Sequence, residues 1–121
     1  MHKKVMVVDD SQTIRQSVGL TLREAGFVVI EACDGIEALK RLEKEAVDML
    51  ITDLNMPNLD GVGLIANVRR GMGNRFLPIV MLTTESDESL KRSGKRAVAS
   101  AWLVKPFRPE QLLGLVRMVL A

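Results

Sequence analysis

The feature of this sequence that most restricts its fold is the alternation of short apolar runs with longer segments of helical periodicity. The apolar runs are rich in valine and isoleucine, and they occupy five places, at Lys4–Val8, Phe27–Glu31, Met49–Thr52, Ile79–Leu82 and Ala101–Val104. Three of the runs contain VMVV, MLIT and IVML, in which apolar and polar residues do not alternate. Such runs are typical of strands that helices cover on both faces. We therefore predict five buried strands.

The segments between the strands have the spacing and the boundaries of helices. Their apolar residues recur every three or four positions, which places them along one helix face. Ser11, Asp34 and Asp60 precede three of these segments, and their side-chain oxygens can accept hydrogen bonds from the free N–H groups of a first turn. Pro109 suits the first turn of the last helix, where its missing N–H is not needed.

A strand–helix unit repeated five times predicts an α/β fold, a doubly wound five-stranded parallel sheet written (βα)5. Because the crossovers are right-handed, the first strands must lie centrally if helices are to cover both faces. With 121 residues, we expect one domain over residues 1–121. In such sheets the functional crevice lies at the carboxyl ends of the strands, where the strand order reverses.

Composition excludes several classes of protein. The 17 basic and 15 acidic residues leave a formal charge of +2, which is too balanced to indicate nucleic-acid binding. The single cysteine, Cys33, cannot form an intrachain disulfide or a cysteine metal cluster. The sequence has no apolar run near the ~20 residues that a membrane span needs and no signal peptide at its start. We expect a cytoplasmic domain that binds neither nucleic acid nor membrane.

Polar residues follow four of the five predicted strands. Asp9 and Asp10 come after the first strand, Asp53 after the third, Thr83 after the fourth and Lys105 after the fifth. If the first and third strands are neighbours, the three carboxylates converge on one hollow at the edge of the sheet. The lysine and the hydroxyl would then face them.

This set of groups favours a divalent cation and phosphoryl chemistry. Three carboxylates and one lysine carry −3 + 1 = −2, and like charges this close disfavour ionisation of one another. A divalent cation cancels that charge, and hard oxygen ligands select Mg²⁺, with Mn²⁺ as an alternative, over zinc. Asp53 is alone at the end of its strand, and a carboxylate can act as a nucleophile toward phosphorus.

Four motifs carry a resemblance to a known family. VVDDS, DLNMPNLDG, MLTTES and WLVKPF occur in this order and, from Val5 to Leu120, resemble the receiver domain of a two-component response regulator. Within that family the chain is most similar to the single-domain chemotaxis type, and we expect no output domain. The resemblance implies a flavodoxin-like sheet with strand order 2-1-3-4-5.

The resemblance implies a role for each polar residue of the hollow. Asp53 corresponds to the phosphoacceptor. Asp9 and Asp10 correspond, together with Asp53 and the backbone carbonyl of Asn55, to the ligands of Mg²⁺. Lys105 corresponds to the lysine that pairs with the phosphoryl group.

It also implies a switch and a control of phosphate lifetime. Thr83 corresponds to the hydroxyl that takes part in catalysis and in switching, and Trp102 to the switch aromatic. The family usually has tyrosine or phenylalanine at the place of Trp102, so ordinary packing of the indole is the alternative. Asn55 and Glu85 correspond to the two positions that tune how long the phosphate survives.

The implied function is that of a monomeric signalling switch rather than a turnover enzyme. It would accept a phosphoryl group from a sensor histidine kinase and lose it slowly. While phosphorylated, it would present a changed face, built from the fourth helix, the fifth strand and the last helix, to a target such as a flagellar motor switch protein. A phosphatase is a further expected partner.

Other functions remain open at this stage. The chain could be a receiver cut from a larger regulator or hybrid kinase, or a receiver that acts as a phosphate sink. A magnesium-dependent phosphatase with an aspartate nucleophile is disfavoured because Asn55 replaces the second aspartate of its DxD pattern. Thr84, where the family commonly has a small residue, either narrows the approach to Asp53 or reflects β-propensity. Val98 occupies a place where we expect glycine at the end of the fourth helix.

Overall fold

The five predicted strands form one parallel sheet in the computed structural model, which describes residues 2–84 and 99–120. The strands are β1 Lys4–Val8, β2 Val28–Ala32, β3 Met49–Asp53, β4 Ile79–Thr83 and β5 Ala101–Val104. Their order is β2-β1-β3-β4-β5, which confirms the predicted topology and the central place of β1. The strand β2 begins and ends one residue later than predicted, and β3 and β4 each extend by one residue, to Asp53 and Thr83.

The described helices begin where their caps predict. They are α1 Gln12–Glu24, α2 Gly35–Lys44, α3 Gly61–Ala66 and a C-terminal helix Pro109–Leu120. Each predicted cap accepts a hydrogen bond from an N–H group of the first turn, Ser11 in α1, Asp34 in α2 and Asp60 in α3. The helix α3 continues as a π-helical segment over Asn67–Gly71. Local capping therefore fixes where each crossover leaves the carboxyl end of its strand.

Apolar clusters cover both faces of the sheet, because successive strand residues point to opposite sides. On one face, Leu50 and Met81 belong to a cluster with α2 and α3. On the other face, Ile51 and Leu82 belong to a cluster with α1 and the C-terminal helix. All four side chains are fully buried, and burying each contributes about 1.5–3 kcal/mol. This two-sided burial explains why the central strands lack polar alternation.

Three predictions fall on residues outside the described ranges. They concern Glu85, Val98 and the fourth helical segment, all of which lie between residues 85 and 98. Within the described ranges, no helix is long and apolar enough to cross a membrane.

Candidate functional site

Sheet register brings three carboxylates together, as predicted. Val8 at the end of β1 pairs with Thr52 of β3, so Asp9 and Asp53 follow at the same level on neighbouring strands. One oxygen each of Asp9, Asp10 and Asp53 can be chosen so that all three lie within 4.8 Å of one another. Asp9 and Asp53 are buried, whereas Asp10 is exposed. The site therefore has a fixed inner pair and an outer carboxylate at its mouth.

Asp9 is held through each of its polar groups. Its N–H donates to the carbonyl of Ala32 over 3.2 Å, which continues the pairing of β1 with β2. Its Oδ1 accepts from the N–H of Ser11 at 2.9 Å, and its Oδ2 accepts from Lys105 Nζ at 2.8 Å. The cost of burying this carboxylate is offset by these bonds.

Lys105 joins the two buried carboxylates. Its Nζ lies 2.8 Å from Asp9 Oδ2 and 3.2 Å from Asp53 Oδ1, and its side chain is 13% exposed. Burial lowers the pKa of Lys105, but the hydrogen bond to Asp9 and the charges of Asp53 and Asp9 outweigh it, so the pKa is raised overall. The ammonium therefore stays charged beside Asp53.

The charge of Asp53 is only partly compensated by its surroundings. Burial and the charge of Asp9 raise the pKa of Asp53 above its usual value, although Lys105 and the N–H of Leu54 act in the opposite direction. The N–H of Leu54 donates to Asp53 Oδ1 at 3.0 Å. A cation bound beside Asp53 would therefore favour its ionised form.

The three carboxylates fit a divalent cation of the magnesium type. All the donor atoms are hard oxygens, and with Lys105 they carry −3 + 1 = −2. A site with few carboxylates and an exposed mouth leaves coordination positions for water and a further oxygen ligand, as Mg²⁺ requires. Asn55 is exposed in the loop that follows Asp53, and the role of its carbonyl as a ligand stays a prediction.

Thr83 and Trp102 lie on the same side of the sheet. Thr83 is the last residue of β4 and is buried. Trp102 of β5 pairs with Met81, and Val104 pairs with Thr83. Residues two apart in a strand share a face, so Trp102 is a diagonal neighbour of Thr83 on that face. The indole packs against the α2–α3 cluster. This placement is compatible with both the switch role and the packing role of Trp102.

A cleft of about 570 Å³ opens beside the site. It lies between α1 and the segment that follows β5, with Lys105 and Thr84 at its edge and an apolar lining that includes Ile14, Val18 and Phe107. The Lys105–Pro106 peptide bond in this segment is cis. Thr84 therefore borders this cleft, and its effect on the approach to Asp53 stays a prediction.

Two hydrogen bonds that the sequence did not predict join the loop after Asp53 to the start of α2. Asn58, whose φ of 69° is positive, donates from Nδ2 to Asp34 Oδ2 at 2.8 Å. The N–H of Gly35 donates to the carbonyl of Leu59 at 3.3 Å. These bonds tie the loop after Asp53 to the start of α2. An asparagine in a turn-forming stretch is a weak sequence signal for positive φ. Its hydrogen bond to a residue 24 positions away cannot be predicted from the neighbouring sequence.

Gly61 is a second residue that the sequence analysis missed. A Cβ at this position would collide with the carbonyl oxygen of Asp53 and lie 2.9 Å from Met81 Sδ. The N–H of Gly61 also donates to the carbonyl of Leu54 at 2.9 Å. The start of α3 can therefore approach the end of β3 only if residue 61 has no side chain.

Gly61→Ala is expected to lower the free energy of unfolding by about 1–3 kcal/mol, the usual effect of an overpacked core position. The matched control is Gly114→Ala in the C-terminal helix, where a Cβ meets no heavy atom within 4 Å among the described residues. That change is expected to stabilise by about 0.5–1 kcal/mol, because alanine favours a helix over glycine. Urea unfolding of both variants measures the difference, and equal effects would contradict the close approach at Gly61.

Comparison with known proteins assigns the family. A family model described as the response regulator receiver domain matches residues 5–117, nearly the whole chain. The chain belongs to this family. Receiver domains are phosphoacceptor switches that take their phosphoryl group from histidine kinases, and they are not enzymes in the ordinary sense.

Relatives of this receiver domain differ in their length. The chain is 45% identical to chemotaxis protein CheY4 of Vibrio cholerae and matches its crystal structure with a TM-score of 0.94, over 98% of this chain and 99% of that one. It is 38% identical to chemotaxis protein CheY1 of Helicobacter pylori over 119 residues, 97% of this chain and 96% of the relative. It is 36% identical to the alkaline phosphatase synthesis transcriptional regulatory protein PhoP of Bacillus subtilis over 120 residues, 99% of this chain but 49% of the relative. The chain thus spans about half the length of relatives such as PhoP.

Proposed function

We propose that this receiver domain is a phosphorylation-dependent signalling switch in which Asp53 accepts a phosphoryl group from a partner histidine kinase. The observation that carries the proposal is the convergence of three carboxylate oxygens within 4.8 Å, with Lys105 Nζ bonded to Asp9 and Asp53. Nucleophilic attack by a carboxylate and electrostatic support by a lysine are the groups that phosphoryl transfer needs.

In the transfer step, a carboxylate oxygen of Asp53 attacks the phosphorus of a phosphohistidine. A P–O bond to Asp53 forms as the P–N bond breaks, and the imidazole leaves with the electron pair and takes up a proton from water. Lys105 donates to a phosphoryl oxygen where it donated to Asp53. Asp9, Asp10, Asp53 and the carbonyl of Asn55 would hold Mg²⁺, which would supply the positive charge that the transferring group requires. Slow attack of water on the phosphorus restores the Asp53 carboxylate.

The change of charge at Asp53 supplies the signal. Phosphorylation takes this residue from −1 to about −2 and adds strong acceptor oxygens. Thr83 follows on the neighbouring strand β4 and donates to the new oxygens, which vacates space next to Trp102 on the same face. Trp102 of β5 then reorients and changes the surface around this strand. Asn55 and Glu85 tune the lifetime of the phosphate.

The downstream partner belongs to a chemosensory or motility pathway in this proposal. Two of the relatives compared above are chemotaxis proteins, and the chain covers 96% of one and 99% of the other. A role as one segment of a larger regulator is the second candidate, favoured by the PhoP match over 49% of that relative. Either way the receiver acts in the cytoplasm, where histidine kinases present their phosphohistidine.

The test is incubation with acetyl phosphate in Mg²⁺ or in EDTA, followed by intact mass. We expect a gain of one phosphoryl group in Mg²⁺ and none in EDTA. Trp102 is the single tryptophan of the chain, and its fluorescence in the same samples is expected to change only in Mg²⁺. No gain of mass in Mg²⁺ would overturn the proposal, and a gain without any change of fluorescence would overturn the switch role of Trp102 alone.

A further inference from the structure

Arg15 in α1 reaches the backbone of the acidic pair. Its Nη1 donates to the carbonyl oxygen of Asp9 at 2.7 Å, and its Nε lies 3.4 Å from Glu31 Oε1. The Arg15 side chain is 16% exposed. The guanidinium is therefore held at one end by β2 and at the other by the peptide that joins the two aspartates.

That peptide decides where Asp10 points. A peptide unit is planar, so a fixed carbonyl oxygen on Asp9 also fixes the direction in which the chain enters Asp10. The carboxylate of Asp9 is already held by Ser11 and Lys105, whereas Asp10 is exposed. Among the described residues, Arg15 donates the hydrogen bond that the peptide between these two carboxylates accepts.

We propose that Arg15 is a positioning residue of the metal site, which holds the Asp9–Asp10 peptide so that the Asp10 carboxylate faces Asp53. This inference rests on the proposed function, in which Asp10 is a ligand of Mg²⁺. Glu31 completes the arrangement, because its carboxylate orients the planar guanidinium toward the Asp9 carbonyl. Groups that orient ligands in this way typically change metal affinity by 10–100-fold when they are lost.

The chain offers a matched control. Arg23, about two turns further along α1, also pairs with Glu31, with Nη2 3.3 Å from Oε2. Among the described residues it hydrogen-bonds neither Asp9 nor Asp10. Arg15→Met and Arg23→Met thus remove the same charge and one contact of the same glutamate, but only the first releases the Asp9 carbonyl.

The sign of the effect separates positioning from charge. Removing a cation near a Mg²⁺ site strengthens Mg²⁺ binding, because the Coulomb repulsion between the two cations is lost. Loss of positioning weakens it instead. Weaker binding in Arg15→Met therefore identifies the positioning role, and a change in stability alone would leave affinity untouched at a temperature where every variant is folded.

The experiment is titration calorimetry with Mg²⁺ on the full chain and three variants, with thermal unfolding recorded for each. Arg15→Met is expected to weaken Mg²⁺ binding by about tenfold or more, and Arg23→Met by less than about twofold. Arg15→Lys, which keeps a donor but loses the planar fork, is expected to fall between Arg15→Met and the unsubstituted chain.

Three results would overturn the inference while leaving the proposed function intact. The first is a Mg²⁺ affinity of Arg15→Met within about twofold of that of the unsubstituted chain, or tighter. The others are equal losses of Mg²⁺ affinity in Arg15→Met and Arg23→Met, and a Mg²⁺ affinity of Arg15→Lys no better than that of Arg15→Met. An unsubstituted chain that binds no Mg²⁺ would overturn the proposed function and this inference together.

Discussion

Asp53→Asn is expected to gain no phosphoryl group from acetyl phosphate and Mg²⁺, whereas the unsubstituted chain gains one. The amide nitrogen and oxygen of asparagine keep the shape of the side chain but supply no anionic nucleophile. Asp53 is the carboxylate that lies at the end of β3 and contacts Lys105 at 3.2 Å. We expect the loss of the mass gain to be complete, because Asp53 is the one acceptor in the proposed function.

The control for this variant is Asp48→Asn, which changes a carboxylate just before the start of the same strand. Asp48 Oδ2 accepts from the N–H of Lys4 at 2.7 Å, at the opposite edge of the sheet from the site. This variant is expected to be phosphorylated like the unsubstituted chain. Phosphorylation of Asp53→Asn to the same extent as Asp48→Asn would contradict the assignment of the acceptor.

Asp53→Asn is also expected to stabilise the metal-free protein. The raised pKa of Asp53 means that the folded chain favours the protonated carboxyl. Asp53 therefore stabilises the fold only below its unfolded pKa of about 3.9, and this contribution is lost as the pH rises through the folded pKa. At neutral pH in EDTA, Asp53→Asn should unfold at a higher temperature than the unsubstituted chain. Mg²⁺ should reduce the difference.

Lys105→Met is expected to slow phosphorylation of Asp53 by about 10²–10³-fold, the usual effect of removing one group that stabilises charge in a transition state. Lys105 contacts both buried carboxylates and is itself largely buried, so solvent does not replace it. Mg²⁺ binding is expected to be as tight or tighter, because a positive charge has left the site. Slower phosphorylation with undiminished Mg²⁺ affinity would show that Lys105 acts on the transfer step and not through binding of the metal.

Lys44→Met, at the exposed last residue of α2, is the matched control and should leave the rate unchanged. Stopped-flow recording of Trp102 fluorescence or timed intact-mass samples gives the rates, and calorimetry gives the affinities. A Lys105→Met rate within about threefold of the control would exclude the role of Lys105, since one lost transition-state contact is worth far more.

The fold could be predicted because its determinants are local or follow from general rules. Uninterrupted runs such as Val5–Val8 and Ile79–Leu82 are fully buried in the sheet, and Ser11, Asp34 and Asp60 cap the helices that their positions predicted. The strand order itself came from the resemblance. The one-residue extensions of β3 and β4 depend on pairing of Asp53 with Leu82 and of Thr83 with Val104, which apolar runs do not reveal.

The site could be predicted only as far as the carboxyl ends of the strands determine it. Asp9, Asp10, Asp53 and Lys105 converge because each follows a strand of one parallel sheet. Gly61 and Arg15 were not found, because each acts on a backbone carbonyl and such contacts depend on the final approach of two elements. Their partners, the carbonyls of Asp53 and Asp9, have no side-chain signature in the sequence.

The most direct test of the central claim is to trap the modified residue after incubation with acetyl phosphate and Mg²⁺. Borohydride reduces an aspartyl phosphate to homoserine, and peptide mapping then locates that residue. We expect homoserine at position 53 and unchanged aspartate at positions 9 and 10. Homoserine at position 9 or 10, or none at all in a sample that has gained mass, would contradict the role of Asp53 as the phosphoacceptor.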